Sequence, residues 1–582
     1  MNRHPSSTFL FPSLILSRKG SDMCRMKLVM AAAIAAVAVQ LLCVHSANAA
    51  TEDTAPKPPI KRVSPDDAAP RTALVVQDNV AMRAAAKDSS PAQAQLWRGE
   101  ALEIRGERPD HFQVYDYRRE RGGFVRKAAL LPLNGPAAQP EALLAALRVV
   151  RQQPGAESLG LGLAAAYVQA AGAAQMNGVD GAEALDAMGT LAERLADRAS
   201  RAQSRSDGVA TVAPSATETQ VAAQLDVAAR YGLRFRTLER EAGAMQLCYD
   251  GEAFRRVLAM PASTPEQKAR AALALTRVDC LDPVATPPQR EQMDQWRADV
   301  LDKVDLRDPA LATHWRNRVL MRQSGVWSSL AFIRARRAGA VSPAGAAGAT
   351  GAAGATGSPA APVALQVDAS SAAARRALEA FARVVPAELS DDDQPTYNDA
   401  AMRGNAMRWA ALPAGAPEQV LGAVKLNAAA GQPGETCLTL TLNGAREGNP
   451  PLLRHCAWGL VMTASARINR EGTAISIASV PADGWRELRL LRRTSLGWKV
   501  SVLPPVAAQP GLGYAEFAGW VPGGKELLVA RESRAEGRYK RSYELVDLDT
   551  LETRRQAGDV TMLGAFQRWQ AADWKGTTLS LR

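Results

Sequence analysis

Histidine is nearly missing from this chain. Beyond residue 49 only His111, His314 and His455 occur, each in a different stretch. None has a cysteine or histidine at zinc-site spacing, and no H-E-x-x-H run is present. A G-x-S-x-G elbow, a P-loop and a dinucleotide-binding glycine fingerprint are also absent. The sequence therefore marks no residue as catalytic, metal-binding or cofactor-binding. After residue 49 there is no uninterrupted apolar run of about 18 residues, so no membrane span is expected there. Lys and Arg number 70 against 59 acidic residues, a net charge of +11. That excess forms no clustered basic face with a recognisable motif, and no nucleic-acid partner is expected.

What is present begins with an address. Met23-Cys24-Arg25-Met26-Lys27 is a short basic lead-in, Leu28 to Val44 is apolar and uncharged, and Ala47-Asn48-Ala49 follows. Basic segment, apolar core and A-x-A site are the three parts of a secretory signal peptide. The charges stay on the cytoplasmic side, the apolar core enters the bilayer, and small side chains fit the peptidase. Residues 1–49 read as this signal, with the start expected at Met23 or Met26 and cleavage between Ala49 and Ala50. Cys43 lacks the small preceding residues of a lipoprotein signal. The mature chain is expected to be periplasmic or secreted and unanchored, its net charge falling to +7 because the leader carries five Lys/Arg and one Asp.

Four of the six cysteines remain after cleavage: Cys248, Cys280, Cys437 and Cys456. An even number in an exported chain suggests two disulfides, and four cysteines allow three pairings. The positions fall into two local pairs, so Cys248–Cys280 and Cys437–Cys456 are expected, each worth roughly 3 kcal/mol by loop closure.

The chain is too long for one core, and composition divides it. Residues 50–71 read as a flexible tether rich in Pro, Lys and Asp. Short β-type runs alternate with turns over 72–133. A helical domain is expected over 140–338, where Thr264-Pro265-Glu266-Gln267 is a helix start and Leu273, Leu275 and Val278 a buried face. Ala164 to Ala196 has the spacing of a helical hairpin. Residues 339–362 form an Ala/Gly-rich linker with Gly345, Gly348, Gly351, Gly354 and Gly357 in register, too short for a collagen helix. A helical segment is expected over 363–415. Val/Leu/Thr alternation with Gly and Asn turns then predicts antiparallel strands over 416–582.

Within 72–133, Val80-Ala81-Met82-Arg83, Leu96-Trp97-Arg98-Gly99-Glu100-Ala101-Leu102-Glu103-Ile104, Phe112-Gln113-Val114 and Gly123-Phe124-Val125 recur in the order of four strands. This pattern resembles the bacterial SH3-like domain family. Phe124 stands where that family usually has Trp, and Arg83-Ala84-Ala85-Ala86 replaces its Gly-rich turn. The resemblance implies a small β-barrel binding cell-wall peptides or envelope proteins. Phe112, Tyr115, Tyr117 and Phe124 are the candidate ligand surface, with Phe112 and Phe124 as barrel core the competing assignment.

Near the end, Gly519-Trp520-Val521-Pro522-Gly523-Gly524-Lys525 and Tyr543 to Asp549 resemble a blade of TolB-type β-propellers, with Gly523 in place of the motif's Asp. Gly472 to Val502 has a similar rhythm. A closed propeller needs more blades than this length supplies, so a partial propeller or a sandwich is expected. Trp485, Trp498, Trp520, Trp569 and Trp574 are either a glycan-stacking set or core. Asp391-Asp392-Asp393 lacks the alternating ligands of a calcium loop. Glu487 and Glu516 lie near tryptophans, as glycosidase carboxylates do, without a further signal.

The fold class expected is multidomain: SH3-like β-barrel, helical middle and C-terminal antiparallel β domain. The function expected is a non-enzymatic binding or scaffolding protein of the bacterial envelope, its partner peptidoglycan or an envelope protein, with no cofactor. A cell-wall-active enzyme with an SH3 targeting module and a purely structural envelope protein are the alternatives.

Overall fold

Leu102 and Ile104, and Phe112 and Val114, are separated by single residues, a period of two that places each pair on one face of a strand. The computed structural model describes residues 71–203, 215–240, 243–340, 363–412, 418–446, 448–507 and 511–577, all within one compact unit, Ala68–Arg582. The expected export signal, nearly all of the expected tether and the Gly-repeat stretch lie outside the described residues.

Seven strands form the N-terminal sheet: β1 (Arg71–Val75), β2 (Val80–Arg83), β3 (Ala92–Leu96), β4 (Ala101–Glu107), β5 (His111–Asp116), β6 (Arg121–Arg126) and β7 (Leu130–Leu133). Their order is β3-β2-β6-β5-β4-β1-β7, and every pairing is antiparallel. Met82, Leu96, Leu102, Ile104, Phe112, Val114 and Val125 fill its core. Each such side chain contributes roughly 1.5–3 kcal/mol on full burial. β1 is buried on both sides: Ala73 and Val75 enter this core, while Leu74 between them enters the helical core.

The helical middle comprises α1 (Pro140–Val150), α2 (Glu157–Ala170), α3 (Ala173–Met176), α4 (Val179–Gln203), α5 (Ala216–Arg230), α6 (Glu252–Ala259), α7 (Pro265–Leu275), α8 (Pro287–Leu301), α9 (Thr313–Ala340), α10 (Val363–Ala382) and α11 (Gln394–Met407). The hairpin β8 (Phe235–Glu239) and β9 (Met245–Tyr249) interrupts it. α7 starts at a reciprocal capping box: Thr264 Oγ1 accepts from Gln267 N, and Gln267 Oε1 accepts from Thr264 N at 2.8 Å. Val278 does not continue its buried face. The helix ends at Leu275, and the following turn leaves Val278 54% exposed.

Three four-stranded meanders follow. β10 (Glu418–Leu421), β11 (Val424–Ala430), β12 (Glu435–Leu442) and β13 (Leu453–Trp458) make one sheet. β14 (Leu460–Ile468), β15 (Ala474–Ala482), β16 (Trp485–Thr494) and β17 (Gly497–Leu503) make the second meander. β18 (Leu512–Trp520), β19 (Glu526–Ala535), β20 (Arg538–Asp547) and β21 (Thr553–Ala557) make the third. The last two join into one eight-stranded sheet through a short parallel pairing, Trp485 with Gly513 and Arg486 with Tyr514. Val424, Leu426, Leu438 and Leu440 of the four-stranded sheet share a core with Ile475, Ile477 and Leu491 of the larger one. Val480 and Met402 sit in cores that mix helix and sheet residues, so the regions read apart in sequence are packed together. α12 (Gly564–Trp569) and α13 (Ala572–Thr577) close the described chain. No described helix is long and apolar enough to cross a membrane.

Candidate functional site

The four aromatics singled out within 72–133 do not form one surface. Phe112 pairs with Val125 and is only 7% exposed, because it falls on the inward-facing phase of β5. Gln113, Tyr115 and Phe124 take the opposite phase, with Glu103 beside Tyr115 and Phe124 beside Gln113. On this outer face the Arg105 guanidinium lies 3.7 Å from the Tyr115 ring centre, and Tyr115 meets Tyr117 edge-on at 5.0 Å. Tyr117 Oη donates to Glu103 Oε2 at 3.0 Å while its ring stays 67% exposed. The hydrogen bond from Arg105 holds the Glu103 carboxyl below its usual range, aided by that from Tyr117. The result is an aromatic surface that carries an Arg105–Glu103 ion pair on a strand pair.

The β1 edge of this sheet and the turns beside it are committed to the helices. Tyr231 Oη donates to Gly99 O at 2.6 Å, and Gln220 and Gln224 donate to Asp78 at 2.8 and 3.1 Å. Buried Glu100 accepts from Arg119 on its own sheet and from Arg230 of α5 at 3.2 Å. Burial raises the Glu100 carboxyl against these arginines. Gly99 adopts φ +86°, and an added Cβ would run into the Ser158 carbonyl of α2. The N-terminal sheet is therefore docked on the helices by β1 and the Gly99 turn, and its outer face carries Arg105, Tyr115, Tyr117 and Phe124.

A second feature was not signalled by any motif. Between α4, α6, α7, α8 and the β8–β9 hairpin lies a cleft of about 700 Å³. Tyr249, Phe254, Leu275, Met293 and Trp296 supply its apolar wall, and Trp296 is 39% exposed. Arg236, Arg255, Arg277, Arg290 and Arg297 also line it. The local chain explains their positions. The last carbonyls of a helix lack intrahelical donors and carry partial negative charge. At the end of α7, Thr276 O accepts from Arg297 Nη2 at 2.8 Å and from Arg322 Nη1 at 2.5 Å. Burial pushes the Arg322 guanidinium down to about 10. Arg277 bridges Glu193 at 2.9 Å, Asp197 at 2.8 Å and Asp279. Gly251, at φ +84°, starts α6 against Leu275, where a Cβ would collide with the leucine side chain. The disulfide Cys248–Cys280, with Cα atoms 5.8 Å apart, ties β9 to the turn after α7, and Cys280 lines the cleft.

Other residues picked from sequence have structural partners. Glu516 accepts from Arg408 and Arg486 in the interior, and Glu487 accepts from Trp485 Nε1 at 3.3 Å. Asp393 holds Arg318 at 2.7 Å, so the Asp391–Asp393 run joins helices. Trp485 and Trp574 are buried, at 1% and 5% exposure, which rules them out as stacking platforms. Trp498 and Trp520 pack against cores, and only Trp569 of that set is 39% exposed. Glu435, Cys437 and Cys456 bring three donor atoms together, but the two sulfurs are joined in the Cys437–Cys456 disulfide between β12 and β13. His111, His314 and His455 stay apart, on β5, α9 and β13.

Compared with known proteins, the chain matches no family model, no curated protein and no solved structure.

Proposed function

We propose that this chain is a non-enzymatic binding or scaffolding protein of the bacterial cell envelope, whose SH3-like N-terminal module contacts peptidoglycan or an envelope protein. The observation that carries this reading is the outer face of the N-terminal sheet, which carries Arg105, Tyr115, Tyr117 and Phe124 while the inner face packs on its own core and the helices hold β1 and the turns. Aromatic and arginine side chains on a rigid platform are the residues that dominate recognition surfaces. Two disulfides support an oxidising compartment. The succession of four-stranded meanders after residue 416 supports a propeller-like or sandwich scaffold behind this module.

The test is sedimentation of the purified mature chain with peptidoglycan sacculi, beside a crosslinked pull-down from envelope fractions. Retention by one of them, weakened about tenfold by Tyr115→Ala with Tyr117→Ala, is the expected result for surface aromatics of this kind. Neither co-sedimentation nor a specific crosslinked partner, or retention indifferent to both tyrosines, would overturn it. Release of soluble muropeptides over time would replace it with a cell-wall enzyme.

A further inference from the structure

The cleft beside α8 holds charge of both signs among its apolar walls. Gln289, Met293 and Trp296 recur at helical spacing, so one face of α8 supplies a wall. Tyr249, Phe254 and Leu275 add apolar surface from β9, α6 and α7. At about 700 Å³ the space falls within the roughly 300–1,000 Å³ of small-ligand sites, which combine apolar walls with a few placed polar groups.

Most of the charge in the lining is balanced within the protein. Arg277 holds Glu193 at 2.9 Å, Arg234 holds Asp250 at 3.2 Å and Arg255 holds Glu252 at 3.2 Å. Asp294 accepts from Arg290 at 2.8 Å and from Arg297 at 2.7 Å. Two charged residues of the lining remain, one of each sign: Arg236 and Asp282 are in no ion pair among the described residues. Asp282 Oδ1 accepts from Val284 N at 3.0 Å, and Oδ2 has no donor among those residues. The fold ties the two charges to one wall. Arg236 stands directly opposite Cys248 in the β8–β9 hairpin, and Cys248 is bonded to Cys280, two residues before Asp282. Arg240, just past β8, adds a hydrogen bond to the Asp279 carbonyl.

A ligand of one charge would answer only one of these residues. An uncharged apolar ligand would strip water from both and give neither a partner, which costs free energy. A zwitterion with an apolar body satisfies all three features of the cleft. We infer that the cleft binds a short apolar peptide with both termini free, its carboxylate on Arg236, its ammonium on Asp282 and its side chains against Tyr249, Phe254, Met293 and Trp296. The guanidinium fork matches a carboxylate, and ion pairs strengthen where the peptide displaces water. This site is separate from the outer face of the N-terminal sheet.

The experiment is calorimetric titration of the full mature chain, disulfides intact, with the tripeptide Leu-Ala-Leu and with its N-acetylated and C-amidated forms. The free tripeptide is expected to bind, and each blocked form about tenfold more weakly, as for the loss of one charge-assisted pair. Arg236→Gln and Asp282→Asn should each cost the free tripeptide the same factor with thermal unfolding unchanged, since Asn keeps the acceptor for Val284 N. The amidated form should be indifferent to Arg236→Gln and the acetylated form to Asp282→Asn, which assigns each terminus to its residue. Absence of binding, equal binding of free and blocked peptides, or blocked forms that respond alike to both substitutions would overturn the site. Loss on amidation without loss on acetylation would replace the zwitterion with a simple carboxylate ligand. Tyr115→Ala with Tyr117→Ala should leave the titration unchanged, so this site and the outer face fail or stand separately.

Discussion

A buried charge network between helix and sheet makes a sharp prediction. Glu516 of β18 accepts from Arg408, just beyond α11, and from Arg486 of β16, with side chains only 3%, 5% and 0% exposed. Arg486 also donates to the Asn405 carbonyl at 2.5 Å, and its guanidinium lies 5.1 Å from the Tyr514 ring. Tyr514 in turn donates to buried Glu532 at 3.0 Å. One carboxylate therefore answers two guanidiniums where helix, β16 and β18 meet, and burial presses Arg486 toward its neutral form. Replacing Glu516 by Gln keeps the shape and removes the charge. Breaking a buried pair by removing one partner costs about 3–5 kcal/mol, because the remaining charge stays desolvated. Urea unfolding followed by far-UV circular dichroism should show Glu516→Gln losing about that much. Arg408→Met with Glu516→Leu and Arg486→Met should recover most of it, since apolar replacement of a whole buried network is often neutral or better. A loss below about 1 kcal/mol for Glu516→Gln, the range of exposed pairs, would refute the claim that this network is cut off from water.

Three further predictions test other parts of the reasoning. Gly99→Ala should destabilise by at least about 2 kcal/mol, since it combines φ +86° with a collision against the Ser158 carbonyl, and limited proteolysis should then release the N-terminal sheet first; an unchanged digestion pattern would count against the docked arrangement. Alkylation without reductant followed by peptide mapping should find no free thiol at the four mature cysteines. Reduction should cost about 3–4 kcal/mol for each of the loops of 32 and 19 residues; four alkylated thiols would refute both bridges. Asp547 caps the β20–β21 turn. Its carboxyl is lowered to about 2, first by the Thr550 backbone N–H and then by that of Asp549 and by Arg554. The unfolded chain takes up this proton first, so the contribution is complete above the ordinary value of 3.8 and is lost as pH falls from there toward 2. Asp547→Asn should flatten the acid limb of the stability curve over that window, and parallel curves would refute the assignment.

What the sequence determined by itself was local. The Thr264 capping box, the alternation of β4 and β5 and the change of character after residue 416 are each specified within a few residues, because hydrogen-bonding caps and a period of two are short-range properties. The expected export signal is read from an equally local pattern, and it lies outside the described residues. Alternation alone does not say which phase of a strand is buried. Tertiary packing therefore decided that Phe112 turns inward while Tyr115 and Phe124 turn out. It also decided that Val278 is exposed, since the face of a helix ends where the helix does. The same applies to Trp485, Trp574 and Glu516, whose sequence neighbourhoods suggested a sugar site and whose partners come from distant segments. The cleft beside α8 illustrates the limit most fully. Arg236, Arg277 and Trp296 reach it from β8, the turn after α7 and α8 without a shared motif, and only packing brings them to one cavity. Charge balance in a folded chain is a property of three-dimensional neighbours, and no linear pattern records it.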